Sequence, residues 1–229
     1  MIGEGPANTR PSVTVFAASP DQGRGLARDM TVRWALEELG RDYDIKPVPM
    51  VKLKSRDHLA LQPFGQIPAY QDGALAMFES GAIVLHLAQH DERLLPSEPA
   101  DRALTAAWIF AAVSTVEPVI VHLETALRAY AGETWQAEAI RPLRDLLNLR
   151  LCALENHLKH REWLGEQFSG ADILMIQALR RLDATGLLSP YLRLSVYIEQ
   201  GTARPAFKRA FAAQLKTWEE TTDVAPTGD

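Results

Sequence analysis

Every strand-like run in this chain falls before residue 92, and everything beyond a proline-rich stretch at 93–99 has helical spacing. That single change of pattern limits the chain to a mixed α/β half followed by an all-helical half. Residues 12–18 are short, apolar and β-branched, and read as a first strand. Residues 29–39 read as a helix, with Asp29 as cap, an apolar stripe of Met30, Trp34, Leu36 and Leu39, and Gly40 as the stop. Residues 43–49 form a second strand candidate, which Pro47 and Pro49 push to a sheet edge. Residues 67–71 and 74–78 flank Asp72-Gly73, the strongest hairpin signal in the chain. A helix over 81–90 follows, with Ser80 as its N-cap.

A strand, a crossover helix and a second strand give a parallel pair with a right-handed connection. The hairpin adds an antiparallel pair. The expected result is a four-stranded mixed sheet with helices on its faces, the thioredoxin-like plan. Beyond the linker the spacing predicts long helices over 101–127, 137–161 and 169–182, and shorter ones near 191–198 and 205–215. Pro118 should kink the first of these. The expected domains are 12–92, thioredoxin-like, and 100–220, all-α. The ends, 1–11 and 221–229, read as flexible.

The chain has 229 residues, with 24 basic and 29 acidic side chains and a formal charge of −5. A broad nucleic-acid surface needs the opposite balance, so no nucleic-acid partner is expected. Cys152 is the only cysteine, which excludes an internal disulfide framework and a CxxC redox pair and fits a reducing compartment. No segment holds the ~18 uninterrupted apolar residues of a membrane span. The first residues lack the apolar core of a signal peptide. A cytoplasmic protein with no membrane partner is the expectation.

Three segments can carry function. In the first, Gln66-Ile67-Pro68 opens a strand, where proline cannot donate to the ladder. A cis Ile67–Pro68 bond would turn the Ile67 backbone outward, free to pair with an extended peptide; a plain trans proline at a strand edge is the alternative. In the second, Glu79 and Ser80 precede a helix whose free N–H groups and dipole suit a carboxylate. Glu79 adds a charge for an amine, so the pair suits a free α-amino acid; a simple cap beside a solvated acid is the alternative. In the third, Ser169 and Asp172 make a capping box, with Phe168 and Ile173 placed as a hydrophobic staple, and this one is structural.

In this order and spacing the three segments resemble the glutathione S-transferase family, from about residue 12 to about 215. The Trp34–Leu39 segment resembles the family's first helix, and Arg204–Arg209 the C-terminal helix of bacterial members. The resemblance implies a homodimer that joins the glutathione thiolate to a hydrophobic electrophile, with glutathione as co-substrate and no cofactor. It implies that the Ile67 backbone, before cis-Pro68, pairs with the cysteinyl part of glutathione, and that Glu79 and Ser80 hold the γ-glutamyl end. Lys54 matches the lysine that binds the glycyl carboxylate in plant-type (phi) members, although Leu53 replaces their preceding histidine. Gln66 is a second candidate for that end. The helical domain would form most of the electrophile pocket, with Trp108, Phe110 and Val113 on its first helix as candidates.

The chain departs from the family after the first strand, where a Tyr, Ser or Cys usually donates to the glutathione sulfur. Here 19–29 reads SPDQGRGLARD. Alignment through the first helix puts the bacterial cysteine position on Arg28 and the serine of other classes near Leu26. Counting from the strand gives Ser19. Ser19 and Arg28 are therefore rival catalytic candidates. The departure keeps open a glutathione-binding protein with little transfer, or a glutathione-dependent reductase or peroxidase, although a reductase would need a cysteine in this segment. His86 with His90, and His157 with His160, have metal-compatible spacing but no evident third ligand, and no metal is expected.

Overall fold

The computed structural model describes residues 10–183 and 185–222. The expectations for 1–9 and 223–229 lie outside them. The chain divides into two compact units, one of residues 1–89 with 205–229 and the other of 90–204.

In the first unit, β1 (Ser12–Phe16), α1 (Asp29–Leu39), β2 (Asp44–Val48), a 3₁₀ turn (Met50–Lys52), α2 (Arg56–Leu59), β3 (Ala69–Asp72), β4 (Leu75–Phe78) and α3 (Ser80–Ala88) follow in order. The sheet order is β2-β1-β3-β4, with β1 and β2 parallel and β3 antiparallel to both β1 and β4. This is the four-stranded mixed sheet that the pattern predicts, and the proline-bearing β2 lies at its edge. Val13 and Val15 bury one side of β1, and Met30, Trp34 and Leu36 are fully buried on α1.

Two expected caps are corrected. Asp29 does not cap α1: it is the first helical residue, Arg28 precedes it in helical geometry, and its carboxylate accepts from Arg33 Nε at 2.9 Å. Ser80 is likewise the first residue of α3, not its N-cap, and no side chain caps that helix.

In the second unit, α4 (Pro99–Phe110), α5 (Glu117–Ala129), α6 (Gln136–Leu158), α7 (Gly170–Arg180) and α8 (Leu192–Ala203) form a bundle. A π turn over Ala111–Val116 joins α4 to α5. It sits just ahead of Pro118, whose ring would clash with the carbonyl four residues back in an unbroken α-helix. The expected kink at Pro118 is thus met by a change of register, which puts the proline in the first turn of a fresh helix. By length and composition the stretch Pro99–Ala129 could cross a membrane. Here it packs against α6 and α7. The capping box forms as expected: Ser169 N–H donates to Asp172 at 2.9 Å and Ala171 N–H to Ser169 Oγ at 3.2 Å.

The last helix, α9 (Pro205–Thr222), packs along α1 in the first unit. The expected boundary had placed it in the all-α domain. Trp34 and Phe207 meet edge to face with centroids 5.0 Å apart, and Arg209 Nε donates to Glu37 at 2.7 Å. An apolar helical stripe shows that a helix packs, but does not name its partner.

Candidate functional site

The strand register gathers the site at one edge of the sheet. Ser12 pairs with Gln71 and Val13 with Tyr70, so Ala69 falls beside Thr14 near the C-terminal end of β1. Ala69 also pairs with Phe78, the last residue of β4. Pro68, Phe78, Glu79 and the end of β1 therefore meet at that edge, where α1 and α3 both begin. Thr14 holds the junction: Ala69 N–H donates to its Oγ1 at 2.6 Å. The Ile67–Pro68 bond is cis, as expected.

Glu79 adopts φ 69°, ψ 112°, a left-handed conformation uncommon for a residue with a side chain. Its carbonyl accepts from Ile83 N–H at 2.9 Å, its side chain is exposed, and Ser80 is buried at the first turn of α3. An acid thus stands beside a helix N-terminus that no side chain caps. That is a paired acceptor and donor set for a zwitterionic amino-acid group.

Lys54 and Gln66 lie on the segment leading to Pro68. Lys54 Nζ donates to Phe64 O at 2.5 Å. Gly65 takes φ 61°, and a Cβ there would stand 2.6 Å from Leu53 O, so Lys54 and the 64–66 turn are fitted closely. Two residues that sequence reading passed over shape this turn. Buried Gln62 accepts from Phe64 N–H at 2.8 Å and Gln66 N–H at 3.3 Å, and His58 Nε2 lies 2.7 Å from Gln66 O. His58 on α2 and Gln62 just beyond it are four residues apart, and that spacing was the available signal.

The two thiol candidates separate. Ser19 is buried at 9% exposure, and its Oγ is sealed from solvent with no hydrogen-bond partner among the described residues. Arg28 is half-buried, on the residue that precedes α1. Between them runs a loop organised by Asp21, another residue the sequence reading missed. Its carboxylate accepts from the N–H groups of Gly23 at 3.2 Å, Ala27 at 3.1 Å, and Leu26. An Asp followed by glycines two and four residues on is a turn signature that could have marked it. Gly25 takes φ 69°, and a Cβ there would stand 2.6 Å from the Phe211 ring on α9. The insertion thus fills the space between β1 and α9.

The discounted groups lie elsewhere. Cys152 is on α6, its Sγ 3.6 Å from Tyr191 Oη. His157 Nε2 lies 2.9 Å from Leu164 O, and its ring packs on Trp108. Among the described residues no group of three His, Cys, Asp or Glu side chains could hold a metal.

The glutathione S-transferase N-terminal domain model matches residues 22–89, which contain α1 to α3 and β2 to β4. A glutathione S-transferase 3 from Zea mays is 31% identical over 195 residues, covering 80% of this chain and 87% of the relative. The chain belongs to the glutathione S-transferase family. A glutathione S-transferase from Hyoscyamus muticus is 29% identical over 196 residues, covering 79% of this chain and 91% of that protein. The crystal structure of a Pseudomonas putida glutathione transferase, with one glutathione disulfide bound per subunit, has a TM-score of 0.75 at 24% identity. That match covers 88% of this chain and 90% of the other, and it shows the shared fold.

Proposed function

We propose that the chain is a glutathione transferase, joining the glutathione thiolate to hydrophobic electrophiles. The observation that carries this reading is the meeting of Pro68, Glu79 and Ser80 at one sheet edge, beneath an uncapped helix N-terminus. Glu79 takes the γ-glutamyl ammonium, and Ser80 with the first N–H groups of α3 takes its carboxylate. The Ile67 backbone pairs with the cysteinyl unit. Lys54 binds the glycyl carboxylate, with Gln66 beside it.

Arg28 is the better supported thiol activator, because the Ser19 hydroxyl is sealed from solvent. A guanidinium stays protonated at all working pH values and favours the thiolate of a thiol whose ordinary pKa is ~8.5. The helical unit supplies the electrophile contacts from α4, which exposes Leu104 and Phe110. Exposed Met50, Val51 and Phe64 of the first unit support a homodimer that covers them. Glutathione is the co-substrate, no cofactor takes part, and the protein works in the cytoplasm.

A second reading, glutathione binding with little transfer, is favoured by one observation. Asp21 already takes the Leu26 and Ala27 N–H groups ahead of α1. Conjugation of a model aryl halide, measured with calorimetric glutathione affinity, separates the two readings. The transferase reading expects turnover that Arg28→Ala sharply lowers and Arg28→Lys partly keeps, with affinity little changed. Tight binding without turnover establishes the second reading.

A further inference from the structure

Behind the end of β1, on the side that faces α9, three buried polar atoms have no partner among the described residues: Ser19 Oγ and the Nε2 and Oε1 of Gln214. Gln214 is 4% exposed, so both side chains are more than nine-tenths buried. They line one cavity of about 10 Å³, shared with Asp29, Arg33 and Thr217. Roughly nine in ten buried polar groups in folded proteins are satisfied, so three orphans around one cavity call for a ligand.

The neighbours fix what kind of ligand fits. Arg33 Nε donates to Asp29 at 2.9 Å, and its other two nitrogens lie 3.4 Å from Thr217 Oγ1. Thr217 Oγ1 in turn donates to Ala213 O at 2.8 Å. The Arg33–Asp29 charges are thus already paired. Gln214 presents a donor and an acceptor together, and Ser19 can be either. A cation would leave the amide N–H groups unmet, and an anion would meet the Asp29 carboxylate. Water is both donor and acceptor, and the volume suits one molecule.

We infer that this cavity is a single-water site, and that Ser19 and Gln214 are positioning residues which, through that water, tie α9 to the loop after β1, against the cavity wall that Asp29 supplies from the first turn of α1. Ser19 then acts on catalysis from behind the loop and does not touch the sulfur. The catalytic part rests on the glutathione transferase reading, because Arg28 immediately precedes that turn.

A high-resolution crystal structure of the full chain tests the site directly. A water peak within hydrogen-bond reach of Ser19 Oγ and the Gln214 amide is expected. A direct Ser19–Gln214 hydrogen bond, or no peak, overturns the proposal. The linked role is read from Ser19→Ala, Gln214→Leu and the double variant. Each single change should raise the pKa of the bound glutathione thiol and lower turnover about two- to tenfold, the range of one net hydrogen bond. Glutathione affinity should stay within about twofold, and the double variant should add little to either single one. A response to Ser19→Ala with none to Gln214→Leu would return Ser19 to direct contact with sulfur and end the proposal. Additive effects would do the same. Should the wild-type protein fail to bind glutathione, the functional reading falls. The water site is then still judged by the density and by non-additive melting temperatures of the same variants.

Discussion

Two helices open at the same end of the sheet without a side-chain cap, and the segments that lead into them are built in opposite ways. Ahead of α1, the Asp21 carboxylate gathers three backbone N–H groups, so that approach is neutralised from within. At α3 no side chain caps the helix, and Glu79 enters it with positive φ. The first opening is built to hold a loop in place. The second carries no such acceptor. The difference is an acceptor placed in the loop ahead of α1 and none ahead of α3, whose first N–H groups meet no side-chain cap.

The largest expected effect comes from the open end. Glu79→Ala should lower glutathione affinity tenfold or more, since a charge-assisted bond is worth about 1.5–3 kcal/mol. Calorimetry measures it, and the melting temperature should hardly move, because the side chain is exposed. A loss of stability with unchanged affinity would make Glu79 part of the fold and erase the contrast.

At the closed end the pattern should invert. Asp21→Ala strands buried N–H donors and should cost about 1–3 kcal/mol of stability. Denaturant unfolding reads this, and unchanged stability would show that the loop holds without its carboxylate. Asp21→Asn, which keeps one acceptor oxygen, should fall between the two.

The smallest effect sharpens the contrast with a third opening, that of α7, where a full capping box lies buried. Asp172 accepts from Leu164 N–H at 2.9 Å and Tyr197 Oη at 2.8 Å besides Ser169. Burial pushes its carboxyl above 3.8, against the pull of these hydrogen bonds. The folded state therefore holds this proton more tightly than the unfolded state. Its contribution is fully present below the unfolded pKa and declines as pH rises through the folded one. The stability lost in Asp172→Asn, about 0.5–2 kcal/mol for a cap, should thus be larger in acid than at neutral pH. Melting temperatures across that range check the sign. A loss that grows with pH would show the carboxyl held below its ordinary value.

Features that depend on a few neighbouring residues were legible in the chain itself. The β3–β4 hairpin, the Ser169–Asp172 box and the span of α1 follow from local geometry, although the hairpin turns at residues 73–74, one later than expected, with Asp72 paired to Leu75. The Pro118 kink was half-legible: the proline demanded an interruption, and the π turn chose its form. Asp21, His58 and Gln62 left only a local spacing in the chain, because what such polar residues do depends on what they face.

The sequence by itself determined the order of elements, the mixed sheet and the segments that build the Lys54–Ser80 site. Their patterns are periodic or capped, and a chain with those patterns has few ways to bury its apolar faces. Only the tertiary structure decided that α9 packs on α1 and that its Gln214 meets Ser19 across a cavity behind β1. Those contacts join residues nearly two hundred positions apart, and no local preference encodes such a pairing. The direction in which Ser19 points was settled there, by the packing of a distant helix.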